Sequence, residues 1–422
     1  MGSTTVADAA KSAPAELSAV LGATFFVRFA FGIATAVFAS YLAGYDTGLQ
    51  PTEVGIIGIV TAMASVAEFS TVVFSGMAAD RWGRWPVLGI GMVVAAATTL
   101  GFTVTRSAIA LGALNFGFGI ASGAILAASL AVVADDAPVD QRGHEMGRFD
   151  AVNLAGWIVG FAVGFAALGV LPNDQLRWAF PIGTSLLAVG IVYAALRLRA
   201  APWRAKAPVG PGPWSQVGRI WGDSNGGTPQ IRRQIAIVTV PWLVIYMLVG
   251  TVLVFLGSSA GSVGISPLYL AVGIGAGGLA LTLTQPAYGS LADRFGTTRM
   301  MLVGTGGFVA LLLGAALIAT YGPSIPALAV TGLGAIGALG YGPAALAALA
   351  DLTRATSRAT TMAIYTLSIS LGMTIGLFAS TQLYSALRAT GLDAFFGILA
   401  VALVGLAVAR WREAPGPTTP AR

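Results

Sequence analysis

The sequence has 422 residues, no cysteine and one histidine, His144. Without cysteine there is no disulfide, no thiolate metal site and no sulfur nucleophile. A single histidine leaves no His-rich metal site, and no metal or cofactor is expected. Charge is also scarce. Asp, Glu, Lys and Arg make up 9% of the chain, whereas a soluble domain carries about 25%. So few charges do not coat a soluble surface of this size, so a lipid-facing surface is the natural account. No G-x-x-x-x-G-K-[ST] loop is present, which disfavours ATP-driven pumping. No catalytic constellation is present either, and an enzyme is not expected.

What remains is long apolar runs. The chain is 56% hydrophobic and holds 56 glycines. A membrane-crossing helix needs about 20 apolar residues. Twelve runs qualify: 20–44, 52–77, 85–105, 107–133, 146–170, 178–197, 234–257, 266–289, 298–320, 325–349, 358–385 and 390–410. Glycine at this level suits close helix packing in a membrane. The fold class expected is all-α, with twelve transmembrane helices in two six-helix halves. Most connections are short turns with Gly, Pro, Asn or Asp, such as Gly44-Tyr45-Asp46-Thr47-Gly48. The exception is 198–233, rich in proline and basic residues, which reads as the cytoplasmic linker between halves 1–197 and 234–422. Part of it, near Trp214 to Trp221, is a candidate surface helix.

Basic residues set the orientation. With both termini cytoplasmic, the outer turns hold only Arg106, Arg177 and Arg388, and Arg28 lies deep in a span. The other 19 of the 23 basic residues fall on the cytoplasmic side. That bias accounts for the net charge of +6 without a nucleic-acid partner. The partner is the lipid bilayer, here a plasma (inner) membrane. The polar start of the chain lacks a cleavage-site pattern and reads as a short cytoplasmic tail.

The chain is organised around one turn, Gly76-Met77-Ala78-Ala79-Asp80-Arg81-Trp82-Gly83-Arg84. It recurs as Gly289-Ser290-Leu291-Ala292-Asp293-Arg294-Phe295-Gly296, followed by Arg299. The copies lie 213 residues apart, about half of the 422. Ala134-Asp135, Arg142, Met146, Gly156 and Gly160 also recur, 216 residues on, as Ala350-Asp351, Arg358, Met362, Gly372 and Gly376. A period of half the chain means a duplicated architecture.

The pattern G-x-x-x-D-R-x-G-R between the second and third spans resembles the cytoplasmic-loop signature of the major facilitator superfamily of transporters. The resemblance covers nearly the whole chain and says little about substrate. It implies a secondary transporter that moves a small molecule by alternating access, as a monomer. It also implies a conformational latch at the charged turns, formed by Gly76, Asp80, Arg81, Gly83, Arg84, Asp293 and Arg294. Asp80 would face the helix that starts near Arg358, and Asp293 the start of the fifth helix near Glu145. The physics agrees, because a helix N-terminus attracts an acid. A charge cluster that merely fixes topology is the alternative.

Charges inside hydrocarbon are costly and mark function by default. Arg28 on the first span and Glu68 on the second each lie roughly 12 Å from the cytoplasmic ends of their spans, at 1.5 Å per residue. Neighbouring helices at equal depth allow them to pair. Glu68 then either couples protons, with Arg28 as counter-charge, or the two form a static bridge. Asp150, on a face with Asn153 and Trp157, is the second candidate for proton coupling. The second half has no deep acid; its polar candidates are Tyr246, Gln285, Tyr341 and Thr366. By the resemblance, spans 1, 4, 7 and 10 line the cavity. Its wall would then hold Arg28, Asn115, Tyr246 and Tyr341, and Glu68 of the second span is counted to the cavity beside Arg28.

Two departures weaken a drug-antiporter assignment. Phe161 stands where the antiporter signature of span 5 has proline, and Asn115 stands where the family has arginine in span 4. The glycine-rich tenth span, ending Gly340-Tyr341-Gly342-Pro343, is a candidate bend. The first expectation is proton-coupled export of a drug-like or amphipathic compound. The alternatives are proton-coupled uptake or uniport of an organic acid or other metabolite, or a non-transporting membrane sensor or scaffold.

Overall fold

The structure, a computed structural model, describes residues 6–44, 54–198, 229–259, 266–322, 324–352 and 358–413. Among these, all regular structure is helical. The first half holds α1 (Val6–Gly44), α2 (Val54–Trp82), α3 (Arg84–Val104), α4 (Ala108–Asp136), α5 (Arg142–Val170) and α6 (Phe180–Leu198). The second begins with α7 (Pro229–Ser259). A span in pieces follows: α8 (Pro267–Val272), a π-helical segment (Gly273–Gly278), α9 (Leu279–Thr282) and α10 (Gln285–Phe295). Then come α11 (Thr297–Tyr321), a second broken span of α12 (Ile325–Ala338) and α13 (Tyr341–Asp351), and α14 (Arg358–Glu413).

Ten helical stretches among the described residues are long and apolar enough to cross a membrane. Their outward faces show large apolar side chains, Ile109, Ile325 and Leu333 among them. An apolar exterior on this scale needs lipid around it. The linker expected over 198–233 falls at 199–228 outside the described residues, and so does the surface helix near Trp214.

Both breaks have a proline as their cause. Pro286 has no N–H to offer the carbonyl four residues back, and the span gives way at Leu283-Thr284. Pro343 does the same, and the span opens at Leu339-Gly340. Each proline then sits in the first turn of the next helix, where an N–H has no intrahelical partner anyway.

One boundary differs from expectation. Two spans, 358–385 and 390–410, were expected with a turn between them. The helical pattern instead runs unbroken through α14 for 56 residues. Straight, that is roughly 84 Å, against about 30 Å of hydrocarbon. The region holds no proline, and Gly391 alone lowers helix propensity by only about 1 kcal/mol.

Glycines set the helix spacing in the core. Gly156 and Gly160 of α5 lie so close to α1 that any added side chain would strike the Phe25 and Phe29 carbonyls. The stretch that resembles an antiporter signature is therefore a close-packing face between α1 and α5. Gly372 and Gly376, their repeats, pack α14 on Leu243 and Met247 of α7 in the same manner. The halves meet where α2 and α4 pack on α14, and where α5 packs on α8, α10 and α13.

Candidate functional site

The charged turns come first, because they join the two halves. Asp80, at the end of α2, is 3% exposed. It accepts hydrogen bonds from Ala359 N (3.1 Å), Thr360 N (2.9 Å) and Thr360 Oγ1 (2.7 Å). Those N–H groups open α14, where a helix leaves its first donors unpaired. The second copy repeats the contact. Asp293 at the end of α10 accepts from Gly143 N (2.7 Å) and His144 N (2.9 Å), which open α5. The receiving positions 143 and 144 correspond to 359 and 360 at the 216-residue offset. Each acid therefore crosses from its own half to the other, and the halves are closed at this end.

The glycines of the turn have distinct uses. Gly76 lies against the backbone of Ala359 and Thr360, and Gly289 against that of Gly143 and His144. Gly83 and Gly296 take φ values of +100° and +91° between consecutive helices, a conformation glycine adopts without strain. The two copies are not equal. Asp80 is buried and accepts three bonds, while Asp293 is exposed and accepts two. Arg84 pairs with Asp135 at 2.7 Å and lies 3.9 Å from Asp80. Arg81 is exposed, and exposed Arg294 lies over the Phe295 ring. His144 Nδ1 is 3.0 Å from Ser290 Oγ, and Arg142 bridges the halves to Asp351.

Farther into the membrane, four helices of the first half converge on Arg28. Its Nη2 lies 3.5 Å from Glu68 Oε1. Its Nε donates to Asn153 Oδ1 (2.9 Å) and its Nη1 to Ser122 Oγ (3.2 Å). Ser122 in turn donates to Glu68 Oε1 (3.4 Å). Arg28 and Glu68 are 8% and 3% exposed. The pair expected from depth alone thus has two further members, Ser122 of α4 and Asn153 of α5. Gly123, next along α4, leaves the room that the Glu68 side chain fills. From the second half, Ser370 of α14 comes near the same carboxylate, while its hydroxyl donates to the Thr366 carbonyl at 3.1 Å.

The second half meets this cluster with rings. Trp242 of α7 is the hub. Its ring centre lies 5.0 Å from Tyr365, 5.6 Å from Tyr341 and 5.8 Å from Tyr246. The Tyr246 hydroxyl stands within electrostatic reach of Arg28, Glu68 and Asp150. Asp150 of α5, 2% exposed, sits against Gly342 of α13. Charge therefore comes from the first half, and rings come from both, since the Arg28 guanidinium also lies 5.6 Å from the centre of the Phe31 ring.

Two of the expected wall residues are used otherwise. Asn115 directs its amide at α2, donating to the carbonyls of Val60 and Thr61, each at 3.0 Å. The Tyr341 hydroxyl donates to the Val238 carbonyl at 2.8 Å. Both polar groups tie helices within their own half. Sequence reasoning missed Trp242, Tyr365 and Ser122. Depth in the membrane was a usable signal for the two rings. Ser122 lies in a run of small residues and carries none.

This geometry can now be set beside known proteins. The family profile described as Major Facilitator Superfamily matches residues 20–269 and 235–422. The chain is 26% identical over 160 residues to the cis,cis-muconate transport protein of Acinetobacter baylyi, covering 38% of this chain and 37% of that one. It is 23% identical over 168 residues to the quinolone resistance protein NorA of Staphylococcus aureus, covering 40% and 42%. The matched stretch spans only about two fifths of these relatives. Among solved structures, the human organic anion transporter MFSD10 (TETRAN) superposes with a TM-score of 0.76 at 17% identity, over 94% of this chain and 99% of that one. The proton:xylose symporter XylE superposes at 0.73 and 16%, over 94% and 96%. The two pseudo-symmetric halves, the paired acid-to-helix contacts and the profile match along the chain agree: this protein is a multi-pass membrane protein that belongs to the major facilitator superfamily.

Proposed function

We propose that the protein exports a drug-like or amphipathic small molecule in exchange for protons, with Glu68 as the coupling carboxylate. The observation that carries this reading is the buried cluster of Arg28, Glu68, Ser122 and Asn153. An ion pair held inside the membrane is expensive to keep and earns its place by changing state. When Glu68 takes a proton, its bond to Arg28 weakens. The guanidinium keeps Asn153 and Ser122 and gains freedom to meet a substrate. When the proton leaves, the pair reforms. Arg28, Glu68 and Tyr246 line the central site in this reading.

Alternating access follows from rocking the halves about that site. Residues 1–197 and 234–422 act as the two bodies, joined by 198–233. The Asp80 and Asp293 contacts hold the cytoplasmic side shut, and both must open to release substrate inward. The chain works as a monomer in the plasma membrane with both termini cytoplasmic, as its basic residues indicate. A second reading, proton-coupled uptake or uniport of an organic acid, is favoured by one observation: Arg28 is the one cation in the central cluster. A muconate transport protein among the relatives is in line with it.

The test is proton movement in reconstituted vesicles holding a pH dye. Lipophilic cations, neutral drugs and organic acids are added to the parent and to Glu68→Gln. The expected result is a proton signal evoked by one class in the parent and absent in the variant. Substrate movement with an unchanged proton signal in Glu68→Gln overturns the role of Glu68. A signal evoked by organic acids alone favours the second reading.

A further inference from the structure

The two acid contacts differ in one residue that the exporter reading leaves unused. Position 144 matches position 360 at the 216-residue offset. Thr360 donates to Asp80 through its hydroxyl as well as its N–H. His144 donates to Asp293 only through its N–H, at 2.9 Å. Its ring reaches Ser290 instead, with Nδ1 3.0 Å from Oγ. Ser290 lies one turn before Asp293 on α10, so the single histidine of the chain spans the junction between the halves.

The hydrogen on that bond can be assigned. The Ser290 hydroxyl donates to the Pro286 carbonyl at 3.1 Å, so its oxygen is left to accept. His144 Nδ1 therefore carries hydrogen, in the neutral ring and in the charged one alike. A proton taken up at Nε2 keeps this bond and adds a positive charge close to Asp293.

The surroundings decide what that charge does. On α5 itself, Glu145 is held by Arg148, and Arg142 is held by Asp351 of α13. On α4, Asp135 is held by Arg84, and Asp136 beyond it is exposed. Asp140, in the turn before α5, is exposed too. On α10, Arg294 lies over the Phe295 ring, and Asp293 has no cation among the described residues. Closing the halves therefore brings His144 a carboxylate that lacks a counter-charge. The start of α5 disfavours a cation, but it stays with His144 whether the halves are open or closed, so its effect cancels.

We propose that His144 is a pH sensor on the cytoplasmic side, whose protonation strengthens the Asp293 contact and holds that side shut. The inference rests on the acid contacts acting as a latch and not on the coupling role of Glu68. Imidazole is the side chain whose ordinary charge change falls within about pH 5–8. If the closed form favours the proton, the proton favours the closed form by the same factor. Closure is then reinforced as pH falls and loosened as pH rises. An acidified cytoplasm keeps the central site turned away from it.

The test uses a thiol at Ala363, which is fully buried between Val72 of α2 and Ala127 of α4 in a chain with no native cysteine. The halves rock as bodies, so a reporter at the first contact reads opening at the second. Maleimide labelling of the full chain in detergent is followed at about pH 6 and pH 8, on either side of the ordinary imidazole range. Each rate is divided by that of the same protein unfolded in SDS, which removes the pH dependence of the thiol. Every protein compared also carries Glu68→Gln, which removes any response of that carboxylate. Labelling is expected to be about threefold faster at the higher pH, the size of one partly exposed ion pair. His144→Gln keeps a donor but takes no charge, and is expected to label equally at both. Asp293→Asn, with His144 in place, is expected to be flat as well. His144→Arg is expected to label slowly at both. Equal rates with His144 and Asp293 present overturn the proposal. So does a response that survives in His144→Gln or Asp293→Asn, or faster labelling at the lower pH. Because Glu68→Gln is common to all, either result is separate from the vesicle test of Glu68.

Discussion

Replacing Arg28 with methionine is expected to destabilise the folded protein by about 3–5 kcal/mol, the usual effect of removing one partner from a buried ion pair. The reason is what stays behind. Glu68 keeps a carboxylate at 3% exposure with no cation, and Asn153 Oδ1 loses its donor. The matching prediction is rescue. Arg28→Met combined with Glu68→Met removes both charges, and apolar pairs of similar volume are often as stable as the ions they replace. The double variant is expected to regain most of the loss, though not all, because Ser122 and Asn153 stay polar. Melting in detergent, followed by tryptophan fluorescence, measures all four corners of the cycle. Additive losses would mean that the two side chains do not act as a pair. The double variant is also expected to lose the substrate-evoked proton signal while folded, which separates stability from coupling.

The second large effect is expected at Gly76. A valine there places its Cβ against the backbone of Ala359 and Thr360, and backbone has no rotamer to yield with. Closure at the charged end is expected to fail. Gly306→Val is the matched control, because nothing lies within 4 Å of the added group. Asp80→Asn is expected to act in the same direction but less strongly. It leaves one amide oxygen for donors that met a carboxylate, and hydrogen bonds to charged groups contribute about 1.5–3 kcal/mol each. Asp293→Asn is expected to shift the balance less again, since Asp293 is exposed and accepts two bonds. The absence of native cysteine makes the measurement clean. Ala363, fully buried between Val72 of α2 and Ala127 of α4, is changed to cysteine as the one reactive thiol. Its maleimide labelling is expected to quicken at least tenfold with Gly76→Val and to stay near the parent rate with Gly306→Val. Equal rates in the two would refute the latch.

How much of this was written in the sequence depends on which side of a contact is considered. Asp80 and Asp293 were legible because they recur in register and because an acid beside glycine in an apolar chain stands out. Their partners were not. Gly143, His144, Ala359 and Thr360 receive the acids chiefly through backbone N–H groups, and any residue but proline supplies one. Only the position of a helix start marks them. Arg28 and Glu68 were legible for the same energetic reason that makes them costly in lipid. Ser122 was not, since serine is common where membrane helices pack closely. Asn115 and Tyr341 were placed correctly on their helices, but residue type does not reveal whether a polar tip points at a cavity or at a neighbouring carbonyl. The α14 boundary failed because an arginine and a glycine near 390 suggest a turn, while helical hydrogen bonding carries through them.

The two acid contacts have one more consequence. Each half both offers an acid at the end of its second helix and presents the start of its fifth to receive one. A surface that complements its own copy in this way is the interface of a two-fold homodimer, contained here within a single polypeptide. Because the receiving side is mostly backbone, substitutions away from the two acids and the glycines packed beside them leave the docking intact. The halves are free to diverge in their interiors without losing their fit to each other. One has kept the buried charges and the other meets them with Trp242 and its tyrosines, and neither can assemble the central site alone.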